Sequence, residues 1–114
     1  MKVTGHDVNR YADMLAAMGA GPRLRIMRLL LAAHPQGLIA GDIGTELGIP
    51  ASTLSHHLEK LKNEDLVRVR RESTFLWYTA NTEGLRELLT FLYAECCGRN
   101  RPLNMDEIIQ VKGK

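Results

Sequence analysis

Leu47-Gly48-Ile49-Pro50 is the stretch that most limits how this chain can fold. Glycine accepts the left-handed backbone that closes a helix. Proline suits the start of the next one, where its missing N–H costs nothing. Apolar positions recur at helical spacing on both sides. A short helix of roughly Ala40 to Leu47 comes first, and Leu54, Leu58 and Leu61 follow the turn on one face at i, i+4 and i+7. Two helices joined by so short a turn read as a helix-turn-helix.

The rest of the chain extends this unit. Val8, Tyr11, Ala12, Leu15 and Met18 predict a first helix ending at Gly19. Gly21-Pro22 opens a second, with Leu24, Met27, Leu30 and Leu31 as its stripe and His34-Pro35 as its end. After the helix-turn-helix the period changes to two. Leu66 to Arg71 reads as one strand, Phe75 to Thr79 as its partner, and Glu72-Ser73-Thr74 as the turn between them. A hairpin directly after a helix-turn-helix is the layout of a winged helix. Asn81 or Thr82 suits the cap of a last helix carrying Leu85, Leu88, Leu89 and Leu92, with Gly98 at its end. The expected fold is therefore mostly α with a small β-hairpin. The domain spans residues 1–98, and 99–114 form a polar tail with one weak turn at Met105–Val111. The first and last helices carry apolar stripes that one small domain cannot bury alone, which predicts a homodimer built on both.

At 114 residues this is one domain. No apolar run approaches the ~18 residues of a membrane span. The start, Met1-Lys2-Val3-Thr4-Gly5-His6-Asp7, lacks an apolar signal core, so a cytoplasmic protein with reduced cysteines is expected. The net charge of +2 decides little, but its placement is informative: five of the fifteen basic residues, Lys60, Lys62, Arg68, Arg70 and Arg71, fall within residues 60–71. Opposite the leucines, the helix after the turn presents Ser52, Thr53, Ser55, His56, Glu59 and Lys60. Short hydroxyl residues and a histidine at a helix N-terminus suit base edges in a major groove, although a solvated helix face would look similar. His57 lies nearer the leucine face and reads as structural. Arg68 and Arg70 share one face of their strand. With Arg71 and Lys62 they would neutralise phosphates of double-stranded DNA. The turn at Glu72–Thr74 has no basic residue, so weak contact from the wing tip is expected. Arg23, Arg25 and Arg28 fit either flanking phosphates or surface solubility. An enzyme is not expected, because Ser55, His56 and His57 are neighbours whose side chains diverge on a helix, and no nucleophile–base–orienter set is recognisable.

The only two cysteines, Cys96 and Cys97, are adjacent. Neighbouring Cα atoms lie ~3.8 Å apart, below the ~4.4 Å usual for disulfides, so a structural disulfide between them is not expected. A soft thiophilic centre needs only sulfurs at roughly 2.3 Å from itself. On the last helix Cys96 would continue the line of Leu85, Leu89 and Leu92, with Cys97 turned about 100° away.

The segments "GPRLRIMRLLL" (21–31), "STLSHHLEKLKNEDLVRVRRE" (52–72) and "FLWYTAN" (75–81) resemble the ArsR/SmtB family of winged-helix metalloregulatory repressors, in order over residues 8–97. The resemblance implies a homodimer that binds operator DNA and releases it when a metal or metalloid binds. "ECC" at 95–97 is similar to the arsenical-sensing branch, which makes Cys96 and Cys97 the ligands and trivalent arsenic or antimony the inducer, with no cofactor needed to bind DNA. A redox or reactive-sulfur sensor using the same thiols is the alternative. There are departures. Ile39, Ala40 and Gly41 stand where other arsenic or cadmium sensors carry cysteines. The last helix offers Glu83, Glu87 and Glu95 but no histidine for zinc. Leu103 stands where a third cysteine often follows the pair.

Overall fold

The computed structural model of the chain describes residues 5–99. The order is α1 (Gly5–Met18), α2 (Gly21–Ala32), β1 (Leu38–Ile39), α3 (Ala40–Leu47), α4 (Ala51–Asn63), β2 (Val67–Glu72), β3 (Phe75–Ala80) and α5 (Thr82–Tyr93). This is the expected mostly helical winged helix-turn-helix. No helix among the described residues is long and apolar enough to cross a membrane. Contacts group the chain into two units that divide between Thr82 and Glu83.

In the first unit α2 is central, packing against α1, α3, α4 and β3. Its buried positions are Ile26, Met27 and Leu30. Leu24, expected on that face, is 49% exposed. At ~100° per residue the line through Ile26, Met27 and Leu30 has Arg23 near its centre and Leu24 well to one side. The sequence stripe was drawn through the leucines, and the fold uses the isoleucine instead. A similar displacement occurs in α1. Met14 and Ala17 are buried, while Val8, Ala12 and Leu15 stay exposed on roughly the opposite side. On α4 the reading held: Leu54, Leu58 and Leu61 are each at most 2% exposed.

The helix ends explain the turns. Gly48 adopts φ 67°, and the N–H of Ile49 reaches back to the Gly44 carbonyl at 3.0 Å. At the end of α4 an aspartate plays the glycine part. Asp65 adopts φ 60°, its N–H donates to the Lys62 carbonyl, and the Leu66 N–H donates to the Leu61 carbonyl, each at 3.0 Å. This pair of bonds is the Schellman motif. It turns the chain so that Leu66 and Val67 enter the core fully buried.

The sheet has the order β1-β3-β2, all antiparallel. The strand β1 was not foreseen, since two residues carry no period. Glu72 pairs with Phe75, so the hairpin loop is Ser73-Thr74 alone, one residue shorter than expected, with Ser73 at φ 59°. Gly37 precedes β1 at φ 83°, and a Cβ there would stand 2.4 Å from the Tyr78 carbonyl oxygen in β3.

In the second unit, α5 stops at Tyr93 rather than continuing to Gly98. The N–H groups of Cys96 and Gly98 donate to the carbonyls of Tyr93 and Glu95, three residues back, and Cys97 has φ 60°. The cysteines therefore sit in a succession of turns after the helix and do not extend its apolar line. The expected turn at Met105–Val111 and nearly all of the 99–114 tail lie outside the described residues.

Gly37→Ala should destabilise by about 3 kcal/mol, since it combines a strained φ with a collision against strand backbone. Gly48→Ala, with open space around its Cβ, should cost only about 1 kcal/mol. Urea unfolding of both variants checks the order.

Candidate nucleic-acid interface and thiol pair

The division of α4 into two faces places the first group of candidates. Burial of Leu54, Leu58 and Leu61 leaves Ser52, Thr53, Ser55, His56, Lys60 and Lys62 exposed. The turn before α4 is tight. Gly48 is left-handed, Pro50 is extended, and Gly44 lets the Ile49 carbonyl approach to 3.0 Å of where a Cβ would stand. The N-terminal half of α4, where the hydroxyls and His56 lie, is thus presented by this corner. Lys62 lies 4.0 Å from Glu59 across one helical turn, an exposed pair that holds neither charge firmly.

His56 and His57 separate as their angles dictate. His56 is exposed and His57 is half-buried. Arg23 Nη1 lies 3.2 Å from His57 Nδ1. The arginine donates, so that nitrogen accepts and the ring is neutral. Arg23 Nε also donates to the Ala17 carbonyl at the end of α1. One guanidinium thereby joins α1, α2 and α4. Its position on the buried line of α2 is the reason it turns inward. Arg25 is also committed, donating to the Leu47 carbonyl at 3.0 Å. It satisfies one of the carbonyls left open at the end of α3. Neither set of contacts was foreseen from the sequence. The helical angle of Arg23 against Ile26 and Met27 was the available signal.

The basic residues of the wing differ among themselves. Arg68 and Arg71 are exposed. Arg70 is half-buried: its guanidinium lies over the Trp77 ring, 5.6 Å from the centroid, and Nη2 donates to the Gln36 carbonyl at 3.4 Å. Glu72 approaches its Nε at 3.6 Å. Arg70 and Trp77 are direct cross-strand partners. The sequence hid this contact because a three-residue turn shifts the register by one.

Cys96 and Cys97 are both free thiols with their sulfurs 3.0 Å apart. The left-handed turn at Cys97 brings together side chains that a continuing helix would splay. Each is within reach of a common centre, since two sulfurs at ~2.3 Å from one atom stand at most ~4.6 Å apart. The shared hydrogen bond with Cys97, then burial and the neighbouring charge of Cys97, push the Cys96 thiol above its ordinary value. Among the described residues no group of three or more His, Cys, Asp or Glu side chains is placed to hold a metal ion. Ile39 closes β1 and Ala40 and Gly41 open α3, so the alternative family site carries no sulfur.

Residues 21–70 match a helix-turn-helix domain family. The transcriptional activator HlyU of Vibrio cholerae is 30% identical over 88 residues, covering 77% of this chain and 79% of the relative. A structure of reduced HlyU superposes with a TM-score of 0.61 at 33% identity, over 77% of this chain and 93% of that one. MJ1325 of Methanocaldococcus jannaschii, an HTH-type transcriptional regulator, is 33% identical over 68% of this chain and 85% of its own length. The solution structure of Mb0332 from Mycobacterium bovis is described as a homodimeric winged helix-turn-helix DNA-binding domain of a possible ArsR-family regulator. It is 28% identical, with a TM-score of 0.61 over 85% of this chain and 90% of that one. These relatives are described as transcriptional regulators.

Burial, then the charges of Arg23 and His56, draw the His57 ring below its ordinary value. The unfolded ring, at ~6.5, takes up a proton before the folded one does. The stabilising contribution is present above that value and is lost as pH falls through the lowered one. Between about pH 7.5 and 5.5 the unfolding midpoint of the unaltered chain should fall more than that of His57→Gln. Equal slopes in a thermal scan would remove the His57 ring as a source of the pH dependence.

Proposed function

This chain belongs to the ArsR family of winged-helix transcriptional regulators, and on that premise we propose that it is a homodimeric repressor released from operator DNA by trivalent arsenic or antimony bound at Cys96 and Cys97. The observation that carries the DNA-binding part is the clean division of α4, with leucines inward and Ser52, Thr53, Ser55 and His56 outward. In this reading Ser55 and His56 read base edges, and Ser52 and Thr53 support them at the helix N-terminus. Lys60, Lys62, Arg68 and Arg71 neutralise phosphates. Pairing of two protomers is supported by the exposed apolar residues of α1 (Val8, Leu15) and of α5 (Leu89, Leu92, Tyr93). Two reading helices must meet half-sites about 34–36 Å apart, so any ligand that changes the pairing of the protomers changes affinity for DNA. That ligand must bind the two arrangements unequally.

The inducer part rests on two sulfurs 3.0 Å apart with no third cysteine in the sequence. Trivalent arsenic takes three ligands. A monosubstituted arsenical arrives with one position filled by carbon. It exchanges two hydroxyls for two sulfurs, forming two As–S bonds and releasing two waters. The thiol protons leave with the hydroxyls, so no net charge is created at the site. Arsenite has to find its third ligand elsewhere, as hydroxide, a cellular thiol or a sulfur from the other protomer. Organoarsenicals therefore act at lower concentration than arsenite or antimonite. The redox reading uses the same sulfur contact and is supported by the existence of a reduced form of the relative HlyU. It requires release of DNA by an oxidant with no metalloid present.

His56→Ala should cost roughly 1–3 kcal/mol at one position of each half-site and leave binding to random DNA unchanged. Equal losses on both DNAs would remove His56 from the base-reading set.

Cys96→Ser and Cys97→Ser should each leave DNA binding intact and abolish release by methylarsenite. Because the thiol protons leave as water with the arsenical hydroxyls, no net proton is released, and release by the unaltered chain at equilibrium should be nearly independent of pH around neutrality. Titrations on fluorescently labelled duplex decide between the inducers. Arsenite acting below the organoarsenical, at one arsenic per dimer, would mean a shared three-sulfur site. Release by peroxide alone would favour the redox reading.

A further inference from the structure

We infer that Arg70 is a positioning residue of the wing and not one of its phosphate ligands, an inference that rests on the DNA-binding reading above. Four observations meet at this side chain. It stands directly opposite Trp77 in the β2–β3 ladder, with its guanidinium over the indole. Its Nη2 donates to the backbone carbonyl of Gln36, outside the hairpin altogether. Its Nε faces Glu72 Oε2 at 3.6 Å, the last residue before the wing tip. That Nε is shielded from solvent and has no hydrogen-bond partner.

These contacts tie three parts of the chain together. Gln36 leads through Gly37 into β1 and α3, the start of the helix-turn-helix, while Arg70 and Glu72 belong to the wing. Gly37 already lies against the β3 backbone at Tyr78. The guanidinium is a second fastening a short distance along the same seam, and two fastenings fix an angle where one leaves a hinge. A lysine would not serve equally, because the planar guanidinium can lie on a ring, donate to the Gln36 carbonyl and face the Glu72 carboxylate from separate nitrogens at once. Arg68 makes the contrast. It projects from the same strand face, is exposed, and has no ion-pair or hydrogen-bond partner among the described residues. Arg68 can turn to a phosphate without giving up a contact, whereas Arg70 would have to leave Trp77, Gln36 and Glu72 together. The angle that Arg70 sets determines where Arg68 and Arg71 stand relative to α4.

The test uses the full chain, with Trp77 as the only tryptophan. Acrylamide quenching of its fluorescence reads the clamp without DNA. The slope of log affinity against log salt, on a random-sequence duplex, counts phosphate contacts. Affinity for a duplex selected in vitro with the unaltered chain reads the wing angle. Arg68→Ala should lower the salt slope by about one and leave quenching unchanged. Arg70→Ala should leave the slope unchanged, raise quenching about twofold, and weaken binding to the selected duplex about tenfold. Arg70→Lys, which keeps the charge, should recover neither the quenching nor the affinity. A slope reduced by about one in Arg70→Ala, or recovery of affinity in Arg70→Lys, makes Arg70 a phosphate ligand and overturns the inference. Should the unaltered chain bind no duplex in a salt-dependent way, the DNA-binding reading fails. The quenching comparison would still report whether Arg70 shields Trp77.

Discussion

The inward face of α2 is the constraint on which the rest of the first unit depends. A single helix supplies packing surface to α1, α3, α4 and β3, and it does so with Ile26, Met27, Leu30 and an arginine. Burying a guanidinium stem on that face is tolerable only because its polar atoms find the Ala17 carbonyl and His57. The same pair of contacts fixes α1 and α4 relative to α2. The attitude of α4 is thus decided from behind, by core leucines on one side and a neutral histidine beside them.

Much of this was legible in the sequence, and the parts that were not share a cause. The helix-turn-helix was readable because Gly48 and Pro50 do what only those residues do cheaply, and because three leucines at i, i+4 and i+7 admit one interpretation. Where a helix carries apolar residues all round, spacing alone does not choose a face. In α1 and α2 the densest stripe was not the buried one. Asp65 was invisible as a helix terminator because a left-handed aspartate is uncommon. It becomes understandable only with the Asn81 amide donating to its carbonyl at 2.7 Å and Arg10 lying 3.9 Å from its carboxylate.

The candidate site divides in the same way. The exposed positions of α4 followed by elimination, once the leucines were assigned to the core. Contacts that depend on a partner were not legible: Arg23, Arg25 and Arg70 look alike as cations on a line of text, yet each donates to a backbone carbonyl outside its own element. Strand register and helical angle determine that anchoring, and an error of one residue in either changes the partner. The end of α5 at Tyr93 shows the limit of periodic reading, since the residues after it look helical in composition but are held by three-residue turns.

For the thiophilic ligand proposed above, those turns would change the arithmetic of capture. With Cys97 in the left-handed region and the sulfurs 3.0 Å apart, the ordering needed for chelation is present before any ligand arrives. A thiophilic atom that has bonded to one sulfur meets the second as an intramolecular neighbour, at an effective concentration on the order of the millimolar range or above. Free thiols in solution then compete poorly for the second bond. Retention is governed by how seldom both bonds open together, so a pair with modest affinity at each sulfur gains a long residence time.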